Sequence, residues 1–136
     1  MLVIIGCGKR KLRGTHPAAD LYDSGYFRLK LEYARKIVDA EDSIIILSGK
    51  HGFLKLDDKI ECYNQPISGP GAVTLETLQQ QAQDMDVLGE ETVVVLGGKQ
   101  YVSRVKRLWP DCMTPLKGGI GDQQHWLKTQ IDEQLN

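Results

Sequence analysis

Residues 43–54 read SIIILSGKHGFL, an aliphatic run that opens abruptly into a polar turn. Four aliphatic residues in succession, Ile44 to Leu47, do not alternate with polar ones, the pattern of a strand covered on both faces. The chain then passes at once into Ser48, Gly49, Lys50, His51 and Gly52, two titratable side chains framed by glycines. Two further runs have the same character: LVII at 2–5 and VVVL at 93–96 are rich in β-branched residues, and each ends at glycine. All three are expected to be central parallel strands. CMTPL at 112–116 is a weaker fourth strand, and its Pro115 suits an edge strand or a strand end.

Helical patterns fill the intervals. From the N-cap candidate Ser24, the stretch to residue 40 puts Phe27, Leu31, Ala34 and Val38 on one stripe. Thr74 is a second cap candidate, with Leu75, Leu78, Ala82 and Met85 in phase and Gly89 as the stop. A third pattern carries Val102, Val105 and Leu108 or Trp109 to Pro110, and a fourth carries Leu127, Ile131 and Leu135. Strand and helix thus alternate along one α/β domain spanning residues 1–136. The expectation is a three-layer α/β/α arrangement around a four-stranded, mainly parallel sheet with right-handed crossovers. The longest irregular segments are 7–23 and 52–73, both following a strand.

The 17 basic and 18 acidic residues nearly cancel, so no global field draws the protein to a nucleic-acid backbone or an anionic membrane. A basic site must be local. Cys7, Cys62 and Cys112 are odd in number and widely spaced, which fits free thiols in a reducing cytoplasm rather than a disulfide frame. The start, MLVIIGCGKRK, is apolar first and basic second, the reverse of a secretory signal, and too short in its apolar run to span a bilayer.

In an open parallel sheet, ligands meet the loops at the carboxyl ends of strands. Those loops would carry Cys7, Gly8, Lys9, Arg10 and Lys11; Ser48 to Gly52; Gly97, Gly98, Lys99 and Tyr101; and Lys117, Gly118, Gly119 and Gly121. Glycines in such turns are commonly structural. Four glycine-bearing loops on one rim instead suggest a pocket, where backbone N–H groups approach a ligand and lysines neutralise phosphate or carboxylate.

Neither the dinucleotide fingerprint nor the triphosphatase loop is met by GCGKRKLRG. His16, His51 and His125 are too scattered for a zinc site, and no metal or cofactor is expected. His51 is the leading candidate for proton transfer, with Lys50 beside it lowering its pKa; the alternative is a satisfied hydrogen-bonding histidine. Lys9 and Lys11 are candidate anion ligands, with Arg10 left to solvent. Cys7 is either an activated thiol or a small buried hydrophobe. Glu61 and Tyr63 offer a base and a stacking platform, or they tie a long loop to the rim. Tyr22 and Ser24 precede the first helix and are free to reach a planar base, whereas Phe27 belongs to the core stripe.

GCGKRKL, AADLYDSGYFRLKLEYA, IIILSGKHGFL, IECYN, VVVLGGKQYV and PLKGGIGDQQHWLK occur in the order and spacing of a small uncharacterised bacterial and phage domain family, which the chain resembles over nearly its whole length. The motifs are Cys-x3-Lys (Cys7, Lys11), Leu-Tyr-x-Ser-x2-Phe (Leu21, Tyr22, Ser24, Phe27) and Leu-Ser-x-Lys-His-Gly (Leu47 to Gly52). That family is similar to the uracil-DNA-glycosylase-like superfamily and to the lysine-transferring domain of archaeosine synthase. The resemblance implies a base-sized pocket on the carboxyl rim and chemistry at a nucleobase or its glycosidic bond. The Asp-Pro-Tyr and His-Pro-Ser strings of true uracil glycosylases are missing, so substrate identity does not carry over.

Two functions follow as expectations. One is a nucleobase- or nucleotide-directed enzyme, an N-glycosidase or base-modifying transferase. In it His51 or the Gly97 and Gly98 N–H groups stabilise a leaving base, Glu61 positions water, and Lys9, Lys11 and Lys50 hold phosphates. The other is a non-catalytic nucleotide or nucleic-acid binding protein, of use in phage and host conflict.

Overall fold

The computed structural model of the chain describes residues 1–134. Its centre is β1 (Leu2–Gly6), flanked in parallel by β3 (Ile44–Ser48) and β6 (Val93–Leu96). These are the three aliphatic runs, and every residue in them is buried, which explains the lack of alternation. The fourth strand is β4 (Gly52–Lys55), antiparallel to β3, so the sheet order is β4-β3-β1-β6.

The expected strand at 112–116 does not form. It contributes a single parallel bridge, Val94 to Met113, in which Val95 N–H donates to the Met113 carbonyl at 2.8 Å and Met113 N–H to the Val93 carbonyl at 2.7 Å. Pro115, two residues on, has no N–H to extend the ladder. β6 is therefore left as one edge, and the fourth strand is added at the opposite edge by the β3–β4 hairpin, where Phe53 and Leu54 each bury a side chain, one on each face of the sheet.

Helices cover both faces. α2 (Gly25–Ile37) and α5 (Ile120–Gln134) pack with Val3, Ile5, Ile44 and Ile46 on one side. α3 (Leu75–Asp84) and α4 (Lys99–Leu108) pack with Leu2, Ile4, Ile45 and Leu47 on the other. Ser24 and Thr74 are the N-caps expected of them, accepting from the N–H of Phe27 at 3.0 Å and of Thr77 at 3.1 Å. α3 stops earlier than Gly89, since Asp86 takes a left-handed conformation (φ 58°) just past the helix. In α5, Leu127 and Ile131 are buried; Leu135 lies outside the described residues.

The two irregular segments pair with each other. β2 (Thr15–Pro17) runs antiparallel to β5 (Lys59–Glu61) as a small second sheet, and α1 (Ala18–Leu21) follows β2. Among the described residues, no helix is long and apolar enough to cross a membrane.

Candidate functional site

β1 leads to the left neighbour β3 and the chain then returns to the right neighbour β6, so the crevice beyond the carboxyl end of β1 is where strand order reverses. A cleft of about 360 Å³ lies there, lined by Cys7, Lys9, Lys11, Asn64, Gln65 and Tyr101 among others. Cys7, half-buried just past the end of β1, is held there by Tyr101. The Tyr101 hydroxyl donates to the Cys7 carbonyl at 2.8 Å, which leaves its oxygen as acceptor for the thiol at 3.3 Å. The Tyr101 ring is pressed against Gly6 and Gly97 and so fills the gap between β1 and β6.

On the other side of β1, Ser48 ends β3 with its side chain fully buried. Its Oγ accepts from the N–H of Lys50 at 3.2 Å and of His51 at 3.1 Å. Both acceptor positions being used, its own O–H donates to the Tyr63 Oη at 2.6 Å, and Tyr63 in turn donates to Tyr22 at 2.6 Å. Hydroxyl counting therefore gives this chain a direction, Ser48 to Tyr63 to Tyr22. Burial pushes all three tyrosine hydroxyls (Tyr22, Tyr63 and Tyr101) well above their ordinary value, and a negative charge at Cys7 would push them further. They stay protonated donors at any physiological pH.

The Cys-x3-Lys and Leu-Tyr-x-Ser motifs meet because residues 10–12 run antiparallel to 21–23. Lys11 bridges to Tyr22, Leu12 N–H donates to the Leu21 carbonyl at 2.8 Å, and Asp23 N–H to that of Arg10 at 2.8 Å. This pairing lays the Lys11 ammonium 4.5 Å from the Tyr63 ring centroid and 5.8 Å from that of Tyr22.

The outer wall, residues 64–68, is held by Gly49. A β-carbon at Gly49 would overlap the Gln65 carbonyl oxygen, so only glycine lets this loop seat, with Ile67 buried beneath it. Gly52 closes the three-residue hairpin loop at φ 73°. Gln81 of α3 fastens that hairpin: its Nε2 donates to the His51 carbonyl at 2.8 Å and its Oε1 accepts from Phe53 N–H at 2.8 Å.

The remaining expected residues are placed as follows. His51 stands edge-on to Tyr63, ring centroids 5.2 Å apart, and its pKa is lowered by burial and then by Lys50, so the imidazole is neutral at pH 7. Lys50 is exposed at the hairpin tip and does not line the cleft. Glu61 does not reach the cleft either: Ile60 takes the buried face of β5, which turns its strand neighbours to solvent. The cleft lining contains no carboxylate, so water positioning by Glu61 has no structural support. Ser24 caps α2 and lies near Gly8, Gly98 caps α4 with Gly97 before it, and exposed Gly119 belongs to the entry of α5, away from the cleft lining.

Lys30 escaped the sequence reading. It is 3% exposed on α2, with Nζ donating to the Gly6 carbonyl at 3.0 Å, one residue before Cys7, and lying 4.3 Å from the Tyr26 ring centroid. Burial brings its pKa down to about 8, against the opposing pull of charge at Cys7. Its position was the available signal: three residues after Phe27 and four before Ala34 is the buried face of that helix. Asn64, Gln65 and Gln100, which also line the cleft, sit in loop and surface sequence without a distinguishing pattern.

Among the described residues, no group of three or more His, Cys, Asp or Glu is placed to hold a metal ion. The chain is similar to the uncharacterized protein YfjM of Bacillus subtilis (strain 168), 32% identical over 133 residues, covering 91% of this chain and 79% of that protein. No solved structure matches it significantly. The family model described as "Family of unknown function (DUF6884)" matches residues 2–129, nearly all of the strands and helices that build the cleft, and the chain belongs to that family.

Proposed function

We propose that the rim cleft binds a nucleobase or nucleotide and that the protein acts on the base or its glycosidic bond, on a sheet arranged in the uracil-DNA-glycosylase-like manner. One observation carries this reading: Cys7, Lys9, Lys11, Tyr101 and the carboxamides of Asn64 and Gln65, distant in sequence, line one cavity at the strand-order reversal. Each matches a part of such a ligand. Lys9 and Lys11 suit phosphate, the carboxamides suit the hydrogen-bonding edge of a base, and an aromatic wall suits its face. A volume of about 360 Å³ lies in the range of small-ligand sites.

For chemistry, the cleft offers the Cys7 thiol beside the Tyr101 hydroxyl rather than a carboxylate base. Cys7 is the nucleophile in the lining, with Lys30 behind it as a buried cation; neutral His51 stands outside the lining, edge-on to Tyr63, and would act as the proton acceptor through that side of the site. The absent carboxylate favours a second reading, in which the same cleft binds a nucleotide without turning it over.

One experiment separates the two. Purified protein is incubated with a panel of nucleosides and of modified DNA and RNA oligonucleotides, and released bases or covalent adducts are read by mass spectrometry. Catalysis predicts turnover of at least one substrate, abolished in Cys7→Ala and reduced in His51→Ala. Saturable binding with no product across the panel refutes the enzymatic reading and leaves the binding module.

A further inference from the structure

α4 is locally cationic on a chain whose formal net charge is −1. Its ten residues include Lys99, Arg104, Lys106 and Arg107 and no acid. Gln100, Arg104 and Arg107 recur at a spacing that puts them on one helix face. With Ser103 they line a hollow of about 470 Å³ against α3, and Gln100 also lines the rim cleft, so the two cavities share a wall. Arg104 is oriented by its own helix, Nη1 donating to the Gln100 carbonyl at 2.7 Å.

These cations differ from others of the chain in lacking an acidic partner among the described residues. Arg10 and Arg28 pair with Asp23, and Arg35 with Glu41. Arg104, Arg107, Lys9 and Lys11 form no ion pair with any described residue. The result is a path of positive charge not neutralised by any described carboxylate, which starts at the Lys9 and Lys11 side of the cleft, passes Gln100, and continues down α4. From Gln100 to Arg107 the helix rises about 10 Å, the length of about three nucleotides of stacked strand at roughly 3.4 Å each.

We infer that the ligand of the cleft is one nucleotide of a single-stranded polynucleotide, whose flanking phosphates follow the Gln100–Arg104–Arg107 face of α4. This rests on the nucleotide reading of the cleft and narrows it from free nucleotides to chains. Single strands are specified because the cleft has room for one base, which a duplex would have to unstack and extrude. The bare alternative, a solvated basic helix face, predicts no dependence of affinity on chain length.

The test is a length series. Unlabelled mononucleotides and fluorescein-labelled DNA and RNA strands of two, four and eight nucleotides are titrated by calorimetry and by anisotropy, at several salt concentrations. The proteins are wild type, Lys11→Gln and the double variant Arg104→Gln/Arg107→Gln. A gain of about tenfold or more is expected between one and four nucleotides. In the double variant the slope of log affinity against log salt should fall by about 1.4, two phosphate contacts at roughly 0.7 each on a single strand. If oligonucleotides bind no better than mononucleotides, or the double variant keeps the wild-type slope, the α4 path is overturned while the cleft reading stands. If neither mononucleotides nor strands bind, the cleft reading fails and the path with it.

Discussion

Lys30 shows that a residue can be kept at a cost to the fold. Its ammonium is 3% exposed, its pKa is about 8 against 10.5 in water, and among the described residues its one hydrogen bond goes to a neutral carbonyl. Between those two pH values the unfolded chain holds more protons than the folded one, so this group makes stability rise with pH across that window. Below pH 8 the full cost is present, about 3 kcal/mol. Lys30→Met keeps the apolar stem and removes the charge. Its unfolding free energy in urea at pH 7 should exceed wild type by about 1–2 kcal/mol, after the loss of the Gly6 hydrogen bond, with the advantage shrinking as pH approaches 10.5. Tyr22, Tyr63 and Tyr101 act oppositely, giving stability that is present below pH 10 and lost above it, but they are common to both proteins and cancel in the difference. A variant less stable than wild type at pH 7 would mean that the ammonium is a net stabiliser and that no functional reason is needed for its burial.

Among the elements, the β3–β4 hairpin contributes no lining residue but holds one side of the site in place. It ends β3 on Ser48, exposes Lys50, sets His51 against Tyr63 and, through Gly49, seats the 64–68 wall. Gly49→Ala forces a methyl into the Gln65 carbonyl and should destabilise by about 1–3 kcal/mol in urea unfolding. It should also weaken ligand binding beyond what the stability loss explains, because the wall carrying Asn64 and Gln65 is displaced; unaltered affinity would detach that wall from the site. This hairpin was only half legible in the sequence. Ile44 to Leu47 announced themselves by unbroken aliphatic composition, and Ser24 and Thr74 by cap chemistry. β4 and β5 are four and three residues long, too short for periodicity to separate them from loop, so the segment after His51 read as irregular. The same shortness hid the solvent-facing side of Glu61.

For the molecule as a whole, the three aliphatic runs were enough to imply a parallel sheet with helices on both faces and to point to its carboxyl rim. They could not say which rim residues converge, since that depends on the order in which strands are laid down. With β1 central, Cys7 falls between Tyr101 on the β6 side and the Ser48–Tyr63–Tyr22 hydroxyls on the β3 side, while Gly119 is carried away to α5. Lys9 and Lys11 reach the cleft by following β1 directly, and the carboxamide wall arrives from a loop some 60 residues into the chain. The proposed function stands on the convergence of these groups on one base-sized cavity. Its most direct test is a diffraction experiment on crystals grown with a saturating nucleoside 5′-monophosphate. Density should place the phosphate against Lys9 and Lys11 and the base between Tyr101 and the Asn64–Gln65 wall; an empty cleft at saturation, or a nucleotide bound elsewhere on the protein, would contradict it.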